Sequence, residues 1–278
     1  MSPEVSDVHS RETLFHDGWA AGTALSEIRA REFFEAPTAV ENQFILRQMG
    51  SLSGKRLLDV GAGLGEASVY FALRGADVIT VDISPEMVAK ACELGRLHGV
   101  EVEGRVAPGE ELPVSDASCD IVYVANTIHH VTNREKLFSE IRRVLKPGGR
   151  FYSIDPIAYN PIVNIYRRMA DEVRTADETP LNRSDIRLAR RYFPDVSCRM
   201  FWIATLALFI KYYLVDRLHP NQDRYWKRIL VEPKSALWWW RPLLTLDFVL
   251  TRIPGLRWWS WNVVMWGTKT GAALTPSV

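Results

Sequence analysis

The sequence is poor in cysteine and nearly balanced in charge. Its three cysteines, Cys92, Cys119 and Cys198, lie far apart and form no C-x-x-C pair. That spacing predicts neither a disulfide framework nor a zinc site, and it favours a reducing cytoplasm as the compartment. The formal net charge is +1, from 34 basic and 33 acidic residues, so no overall field favours a nucleic-acid partner. We therefore expect no metal ion and no nucleic acid.

Long apolar segments are also missing. Residues 1–7 contain no basic region followed by an apolar run, so no signal peptide is expected. Residues 201–215 are almost continuously apolar but are interrupted by Lys211, whereas a membrane-spanning helix needs about 20 apolar residues. No internal repeat is visible. The 278 residues therefore predict one large domain, or a core with an inserted subdomain.

The most informative segment is a short apolar run followed by three glycines. Residues 57–60 are mostly apolar, Gly61, Gly63 and Gly65 follow, and residues 67–73 have a helical pattern. Glycine permits positive φ and a close approach of a ligand to the backbone, and a helix N-terminus offers free N–H groups. This order predicts a site for a nucleotide-like ligand, although glycines at such a turn also serve packing.

A second apolar run, residues 77–82, ends in the carboxylate of Asp82. Asp82 follows the first glycine by about twenty residues, where doubly wound folds place an acid on ribose hydroxyls. The alternative is that Asp82 caps the next helix. Ser84 is a good N-cap and Pro85 suits the first helical position, so the cap does not require Asp82. We expect Asp82 to bind ribose.

The acid before the turn distinguishes this site from a dinucleotide-binding loop. The segment Asp59-Val-Gly-Ala-Gly-Leu-Gly65 resembles motif I of the class I S-adenosylmethionine (SAM)-dependent methyltransferases. Residues 111–126 and 141–151 resemble the fourth strand of that family and the Leu-Lys-Pro-Gly-Gly turn before its fifth strand. The resemblance covers about residues 51–155 and points to the bacterial members that act on small molecules or lipids. NAD-dependent enzymes are the distant alternative.

Apolar runs and helical patterns alternate through this region. The alternation predicts an α/β fold with a parallel sheet and a ligand crevice at the carboxyl ends of the strands. The resemblance implies a doubly wound, Rossmann-like sheet of seven strands whose last strand is antiparallel, with N-terminal lid helices and an aromatic-rich helical insertion before that strand. Strands are expected at about 56–60, 77–81, 100–106, 119–125 and 149–154, and helices at about 65–74, 85–98 and 134–145.

The chain is predicted to divide into a lid, a SAM-binding core, an acceptor-binding insertion and a final strand with a tail. The insertion is expected to contribute one strand near residues 196–203. The N-terminal residues 1–12 are expected to be frayed, and Ser184-Asp185 to cap a helix that follows. The four predicted parts are residues 1–50, 51–155, 156–260 and 261–278.

The resemblance assigns the cofactor, SAM, to the glycine turn. The backbone of Gly61, Ala62 and Gly63 would pass beneath the amino-acid part of SAM. Asp59 would orient this turn or accept a hydrogen bond from the ammonium group of the cofactor. Asp82 would accept from both ribose hydroxyls in a charge-assisted contact.

The adenine contacts depart from the family pattern. By resemblance, Ile83 and Met87 would flank the adenine ring. An acid is expected two or three positions before Glu-Leu-Pro, but Pro108 stands there. The adenine amino group is therefore assigned to the backbone of Gly109 or to Glu110.

Polar residues that follow the fourth and fifth strands are the candidates for acceptor chemistry. Asn126 would meet the methionine part of SAM. His129 and His130 are candidate catalytic bases, since the histidine pKa lies near neutrality; the alternative is that one of them only packs or caps a helix. Asp155 and Tyr159 are weaker candidates that would face the acceptor.

Aromatic residues accumulate in the second half of the chain. Nine of the ten tryptophans occur from Trp202 onward, and the tenth, Trp19, is expected either to contact the methionine end or the substrate, or to pack in the core. Tryptophan-rich segments line closed apolar pockets or dimer interfaces, or contact membrane interfaces beside basic residues. Homodimerisation, peripheral membrane contact and plain core packing all remain open on this pattern.

These features together predict a cytoplasmic methyltransferase for a small or medium apolar acceptor. The acceptor would be a lipid, an isoprenoid or an aromatic secondary metabolite. One alternative is a SAM-binding protein with changed chemistry, either methylation-coupled cyclisation or no catalysis. A second alternative is a protein that docks to membranes through its tryptophan-rich half.

Overall fold

The structure, a computed structural model, describes residues 3–231 and 237–271. Its centre is a seven-stranded sheet in the order β3-β2-β1-β4-β5-β7-β6. The strands are β1 (Arg56–Val60), β2 (Asp77–Asp82), β3 (Glu103–Val106), β4 (Cys119–Ala125), β5 (Leu145–Pro156), β6 (Ser197–Phe201) and β7 (Asn262–Thr268). The helices are α1 (Pro3–Ala21), α2 (Glu32–Glu35), α3 (Val40–Met49), α4 (Glu66–Leu73), α5 (Pro85–Leu97), α6 (Arg134–Val144), α7 (Pro161–Met169), α8 (Arg183–Tyr192), α9 (Ala207–Leu214), α10 (Tyr225–Arg228) and α11 (Leu237–Leu250).

The sheet confirms the predicted doubly wound fold. Strands β1 to β5 pair in parallel, and β7 pairs antiparallel with both β5 and β6. The chain leaves β1 toward β2 on one side and reaches β4 on the other, so the strand order reverses between β1 and β4. In open α/β sheets a ligand crevice lies at such a reversal, outside the carboxyl ends of the strands.

Both faces of the sheet are covered, which explains why its strands are apolar almost throughout. Leu57 and Tyr123 belong to the core on one face, whereas Leu58 and Val122 belong to the core on the other. Successive side chains of a strand point to opposite faces, so β1 and β4 need apolar residues at every position.

Several boundaries differ from the sequence prediction, among them the start of β3, which is Glu103 and not residue 100. Residues 1–12 were expected to be frayed, but α1 begins at Pro3. Helix α8 is capped by Asn182, whose side chain accepts from the Ser184 N–H while Asp185 accepts from the Asn182 N–H; the predicted cap at Ser184 was wrong. Strand β5 begins at Leu145, because the Leu-Lys-Pro-Gly-Gly turn already pairs with Cys119. The predicted tail lies outside the described residues from residue 272 onward.

The long connection between β6 and β7 carries α9, α10 and α11, and most of the tryptophans. Within its core Trp202 contacts Trp240 and Trp261, with ring centroids 5.0 and 5.6 Å apart. This connection is the predicted aromatic-rich insertion before the last strand. Within the described ranges, no helix combines the length and the hydropathy that a membrane crossing requires.

Candidate functional site

A cavity of about 220 Å³ opens at the carboxyl ends of the central strands. A single water needs about 10–15 Å³ of such space, so the cavity has room for much more than a few waters. Eleven of the predicted site residues line it, and four do not. Those that line it are Trp19, Gly61, Ala62, Gly63, Asp82, Ile83, Gly109, Glu110, Asn126, His129 and His130.

The glycine turn forms the floor of the cavity. Gly61 and Gly63 have φ angles of +68° and +54°, which L side chains rarely adopt. A Cβ on Gly61 would collide with the side chain of Thr127, whereas no atom lies within 4 Å of the Cβ position at Gly63. The space above Gly63 therefore belongs to the cavity and leaves its backbone open to a ligand.

Asp82 connects the end of β2 to this turn. One carboxylate oxygen accepts from the Gly63 N–H at 2.9 Å and the other from the Ser84 N–H at 3.0 Å. A carboxylate oxygen has capacity for a further donor, so both oxygens can still accept from a ribose hydroxyl. Ser84 caps α5 through Met87 N, as the sequence predicted.

Of the two roles predicted for Asp59, its position is compatible with orienting the turn and not with a direct contact to the cofactor. Its carboxylate lies beneath the turn, where it accepts from the Ser68 hydroxyl at 2.6 Å, and it does not line the cavity. Burial, together with the nearby charges of Asp82 and Glu66, raises the pKa of Asp59 to about 7. Asp59 therefore supports the turn from below, and its charge acts on the cavity only at a distance.

The predicted adenine wall is present in part. Ile83 lines the cavity, but Met87 is fully buried in the core and does not. The Glu110 carboxylate accepts from the Thr132 hydroxyl at 3.2 Å and from the Asn133 N–H at 3.3 Å. Because Glu110 is thus engaged by the loop before α6, the backbone beside Gly109 has the more open approach.

Asn126 stands at the end of β4 in a strained conformation. Its φ angle is +52° and its side chain is exposed to the cavity. Asparagine tolerates the left-handed region better than most residues, and such strain often marks ligand-binding positions. The geometry places a polar amide next to the glycine turn.

His129 and Asp155 form a buried pair at the cavity wall. Nδ1 of His129 lies 2.8 Å from Oδ1 of Asp155, and the same oxygen accepts from the His129 N–H at 3.1 Å. Burial lowers the pKa of His129 and raises the pKa of Asp155, so it opposes a charge on either group. Asp155 is fully buried and does not line the cavity, so it positions His129 and does not face an acceptor as predicted.

His130 lies between two carboxylates that the sequence analysis did not identify. Its Nδ1 is 3.0 Å from Glu12 Oε2 and its Nε2 is 3.7 Å from Glu178 Oε1. Glu12 also lies 3.3 Å from Nε2 of His16. Burial works to raise the pKa of Glu12, but the hydrogen bonds from His130 and His16 outweigh it and lower that pKa.

This cluster also has the donor atoms of a cation site. The ligand atoms of Glu12, His16 and His130 lie within 4.8 Å of one another, as do those of His129, His130 and Glu178. Imidazole and carboxylate suit several divalent metals. Arg167 and Arg174 also pair with Glu178, however, so its charge is already matched. The expectation of no metal stays a prediction.

Aromatic rings and cations from α1 and the insertion form a further part of the cavity wall. Trp19 packs edge-on against Trp226 with centroids 5.7 Å apart, and the guanidinium of Arg224 lies 3.8 Å from the Trp19 ring centre. Lys227 pairs with Glu66 of α4 at 3.1 Å. We call Trp19, Arg224, Trp226 and Lys227 the roof. It joins the N-terminal helix to the insertion.

Tyr159 lies outside this arrangement. Its ring packs against Trp258 with centroids 5.7 Å apart, and its hydroxyl accepts from the Arg183 N–H. It does not line the cavity, so its predicted contact with the acceptor does not follow from the structure.

Comparisons with known proteins agree with this geometry. Residues 58–153 match the family model described as a methyltransferase domain. The chain is 33% identical over 144 residues to 27-O-demethylrifamycin SV methyltransferase of Amycolatopsis mediterranei, covering 50% of this chain and 49% of the relative. It is 34% identical over 110 residues to a ubiquinone/menaquinone biosynthesis C-methyltransferase of Rubrivivax gelatinosus, covering 40% and 43%.

By these matches, residues 58–153 are a methyltransferase domain similar to those of the class I SAM-dependent enzymes. The chain spans just under half the length of these curated relatives. Its fold is similar to that of Haemonchus contortus phosphoethanolamine N-methyltransferase 2, solved with S-adenosylhomocysteine, with a TM-score of 0.56 at 20% identity over 84% of this chain and 53% of that one. At that identity the similarity shows the fold alone.

SAM is the cofactor of this methyltransferase domain, and the cavity fits it. The open backbone at Gly63, the two carboxylate oxygens of Asp82 and the exposed amide of Asn126 face one space. The carboxylate and the amide can accept hydrogen bonds from hydroxyl and ammonium groups of the cofactor. The open space above Gly63 lets the cofactor approach the backbone closely. When bound, SAM supplies an electrophilic methyl group.

Sequence reasoning placed Trp19 at the site but missed the polar residues that α1 contributes to it. His9, Glu12, His16 and Trp19 all line the cavity from this helix. Their spacing of three, four and three residues places them on one helical face, and that periodicity was the available signal. The residues missed elsewhere include Tyr166, Arg167, Arg174, Glu178, Arg224, Trp226 and Lys227.

Proposed function

We propose that this protein transfers a methyl group from SAM to a small or medium apolar acceptor. The observation that carries the proposal is the cavity itself, in which the cofactor turn and the buried histidines face an aromatic wall. Phe15, Trp19, Tyr166, Trp226 and Trp261 line the same space as Gly63 and His130. An apolar, aromatic lining with a few polar groups is typical of sites for small apolar ligands.

The printed names of the relatives support this acceptor class. One relative is named for demethylrifamycin SV and the other for ubiquinone and menaquinone biosynthesis. For this chain, we propose that the acceptor is a lipid, an isoprenoid or an aromatic secondary metabolite. Alignment of the acceptor with the methyl group would supply much of the rate, because the protein forms no covalent bond in such a transfer.

We propose His130 as the group that takes the acceptor's proton. Burial lowers the pKa of His130, and Glu12 offsets part of that effect. His130 is then neutral near pH 7 and able to accept a proton from a hydroxyl, an ammonium or a carbon acid. Glu12 orients the ring, and the adjacent ring of His129, with its centroid 4.2 Å away, is held by Asp155.

The parts of the chain follow from these roles. We propose that residues 1–50 act as a lid, that residues 51–155 bind SAM and that residues 156–260 select the acceptor. Residues 261–278 would then complete the sheet and form the tail. We also propose a cytoplasmic location, because the three cysteines are free and separate in the sequence.

The first experiment is isothermal titration with SAM and S-adenosylhomocysteine. We expect micromolar binding by the wild type and its loss in Asp82→Ala, with folding checked by circular dichroism. Asp77→Ala, at the exposed start of the same strand, is the matched control and should bind normally. Absence of binding by the wild type would refute the cofactor assignment and hence the proposed function.

A second experiment separates methyl transfer from the alternative chemistries. The protein is incubated with SAM and a panel of quinols, sterols and phenolic metabolites, and products are identified by mass spectrometry. A product that gains one methyl group supports the proposal. Rearrangement without mass gain, or SAM binding with no product across the panel, would favour a SAM-binding protein with changed chemistry.

A further inference from the structure

Helix α11 presents an apolar stripe to solvent. Trp238, Leu246 and Val249 are 78%, 45% and 51% exposed, and Pro242 between them is exposed as well. Positions i, i+4, i+8 and i+11 lie on one face of a helix. The opposite face packs inward, where Trp240 is buried against Trp202. Both faces of α11 are therefore apolar, and only one is covered.

Further large apolar side chains are exposed at the last turn of α11 and beyond it. Ile253, Leu256 and Trp259 are 41%, 39% and 54% exposed, and Phe248 is 52% exposed on the last turn of the helix. We call these four residues, with Trp238, Leu246 and Val249, the α11 surface. Monomeric proteins rarely expose a run of large apolar side chains of this size without a partner.

The exposed charges of residues 237–259 all have one sign. Arg241, Arg252 and Arg257 are exposed, and none of them pairs with a carboxylate among the described residues. The single acidic residue from 237 to 271 is Asp247. It is buried, and its carboxylate accepts from the backbone N–H groups of Ile203 and Ala204. Within residues 237–271, no exposed negative charge therefore remains to offset the three arginines.

We propose that the α11 surface docks the protein on an anionic lipid bilayer. Tryptophan and large aliphatic side chains partition into the membrane interface, and arginines beside them bind lipid phosphates. Helix α11 has 14 residues, fewer than the roughly 20 that span a bilayer, so it lies along the interface. The positive charge complements the surface of an anionic leaflet.

A second copy of the chain is the less suitable occupant. A two-fold dimer brings the same patch of each subunit together. It would bring Arg241, Arg252 and Arg257 of both copies into one interface, to which residues 237–271 contribute no exposed carboxylate. Like charges at an interface oppose association, so the charge pattern favours lipid over self-association.

The docking surface goes beyond the proposed methyl transfer and does not depend on it. Its inner side does connect to the candidate site, because Trp240 contacts Trp202, which contacts the cavity residue Trp261. Docking would therefore hold the cavity, where the acceptor is proposed to bind, close to the bilayer. No residue of the α11 surface lines the cavity. SAM titration on each variant therefore tests cofactor binding separately from membrane docking.

The test is flotation of the full chain with vesicles of phosphatidylcholine alone, or of phosphatidylcholine and phosphatidylglycerol in roughly a two-to-one ratio. We expect binding to the anionic vesicles that weakens as salt is raised. Arg241→Gln, Arg252→Gln and Arg257→Gln together should weaken that binding about a hundredfold, since each basic residue near an anionic leaflet contributes about 1 kcal/mol. Trp238→Ser, Leu246→Ser and Val249→Ser together should abolish it.

The matched control is Leu14→Ser with Leu97→Ser, which removes two side chains that are 72% and 63% exposed elsewhere. This variant should bind vesicles like the wild type. Wild-type protein that stays with the soluble fraction, or a stripe variant that floats as well as the control, would overturn the proposal. A concentration-dependent dimer in lipid-free light scattering, lost in the stripe variant, would assign the surface to a second copy instead.

Discussion

Nδ1 of His130 lies 3.0 Å from Oε2 of Glu12, although one residue follows the fourth strand and the other belongs to the first helix. The N-terminal helix thus supplies a buried carboxylate to a histidine beside the cofactor turn. An apparently separate lid is in this way part of the candidate site.

Replacing Glu12 by Gln should lower the rate and shift its pH dependence. Burial lowers the pKa of His130 from 6.5 and Glu12 acts in the opposite direction, so removal of the carboxylate lowers that pKa further. The acid limb of kcat/KM should move to lower pH, and kcat should fall roughly 10- to 100-fold as the base loses its orientation. Glu32→Gln, a change on α2 at a residue that does not line the cavity, is the control. An unchanged pH profile would remove Glu12 from the proposed proton path.

Replacing Gly63 by Ala should weaken SAM binding in addition to its cost to the stability of the fold. The φ of +54° costs an alanine about 1–2 kcal/mol, and its methyl group would occupy the open space above the turn. We expect at least a tenfold rise in the Kd for SAM. Gly99→Ala is a matched control, since Gly99 has a φ of +70° and the same open surroundings away from the cavity. Equal effects of both variants on Kd would show that the turn does not approach the ligand.

Asp59→Asn should stabilise the protein, and more so at high pH. The folded pKa of Asp59 is raised from 3.8 to about 7, so the folded state binds the proton more tightly than the unfolded state. The stability that Asp59 contributes is therefore full below its unfolded pKa and is lost as pH rises through about 7. Between pH 5.5 and 8.5 the advantage of the variant should grow by about 2 kcal/mol in urea unfolding. A constant advantage across that range would place the folded pKa elsewhere.

Asp17→Ala should loosen the N-terminal helix from the cofactor core. The Asp17 carboxylate accepts from the Ser84 hydroxyl at 2.5 Å and from the Glu86 N–H at 3.3 Å, which ties α1 to the start of α5. Loss of a charge-assisted hydrogen bond costs about 1.5–3 kcal/mol, so trypsin should cleave after the exposed Arg11 at least tenfold faster. Asp7→Ala, on the exposed side of the same helix, should leave cleavage unchanged.

Local patterns in the sequence were sufficient to predict the sheet and the glycine turn. The apolar runs, the three glycines and Asp82 are contiguous features, and each is set by the backbone conformation that it needs. Asn126 and the histidines were found for the same reason, because they directly follow a strand.

Contacts between segments that lie far apart in the chain could not be predicted from local patterns. Glu12 and Glu178 reach His130 from separate helices and loops, and no local pattern links them to it. Met87 was placed beside adenine because it follows the ribose acid closely, but helix packing turns it into the core. Asp155 was expected to face the acceptor, but it turns toward His129. In each case the direction of the side chain was decided by tertiary packing.

The roof has a consequence for the order of events in each turnover. Trp19 and Trp226 meet above the cavity, and Lys227 holds the insertion to Glu66, next to the glycine turn. We expect a nucleoside bound below to exchange when the contacts of the roof open. We therefore expect SAM to bind before the acceptor. Product formation should show a pre-steady-state burst, followed by slower turnover that is limited by opening of the roof. S-adenosylhomocysteine should then be a strong product inhibitor, and screens for the acceptor need an enzyme that removes it.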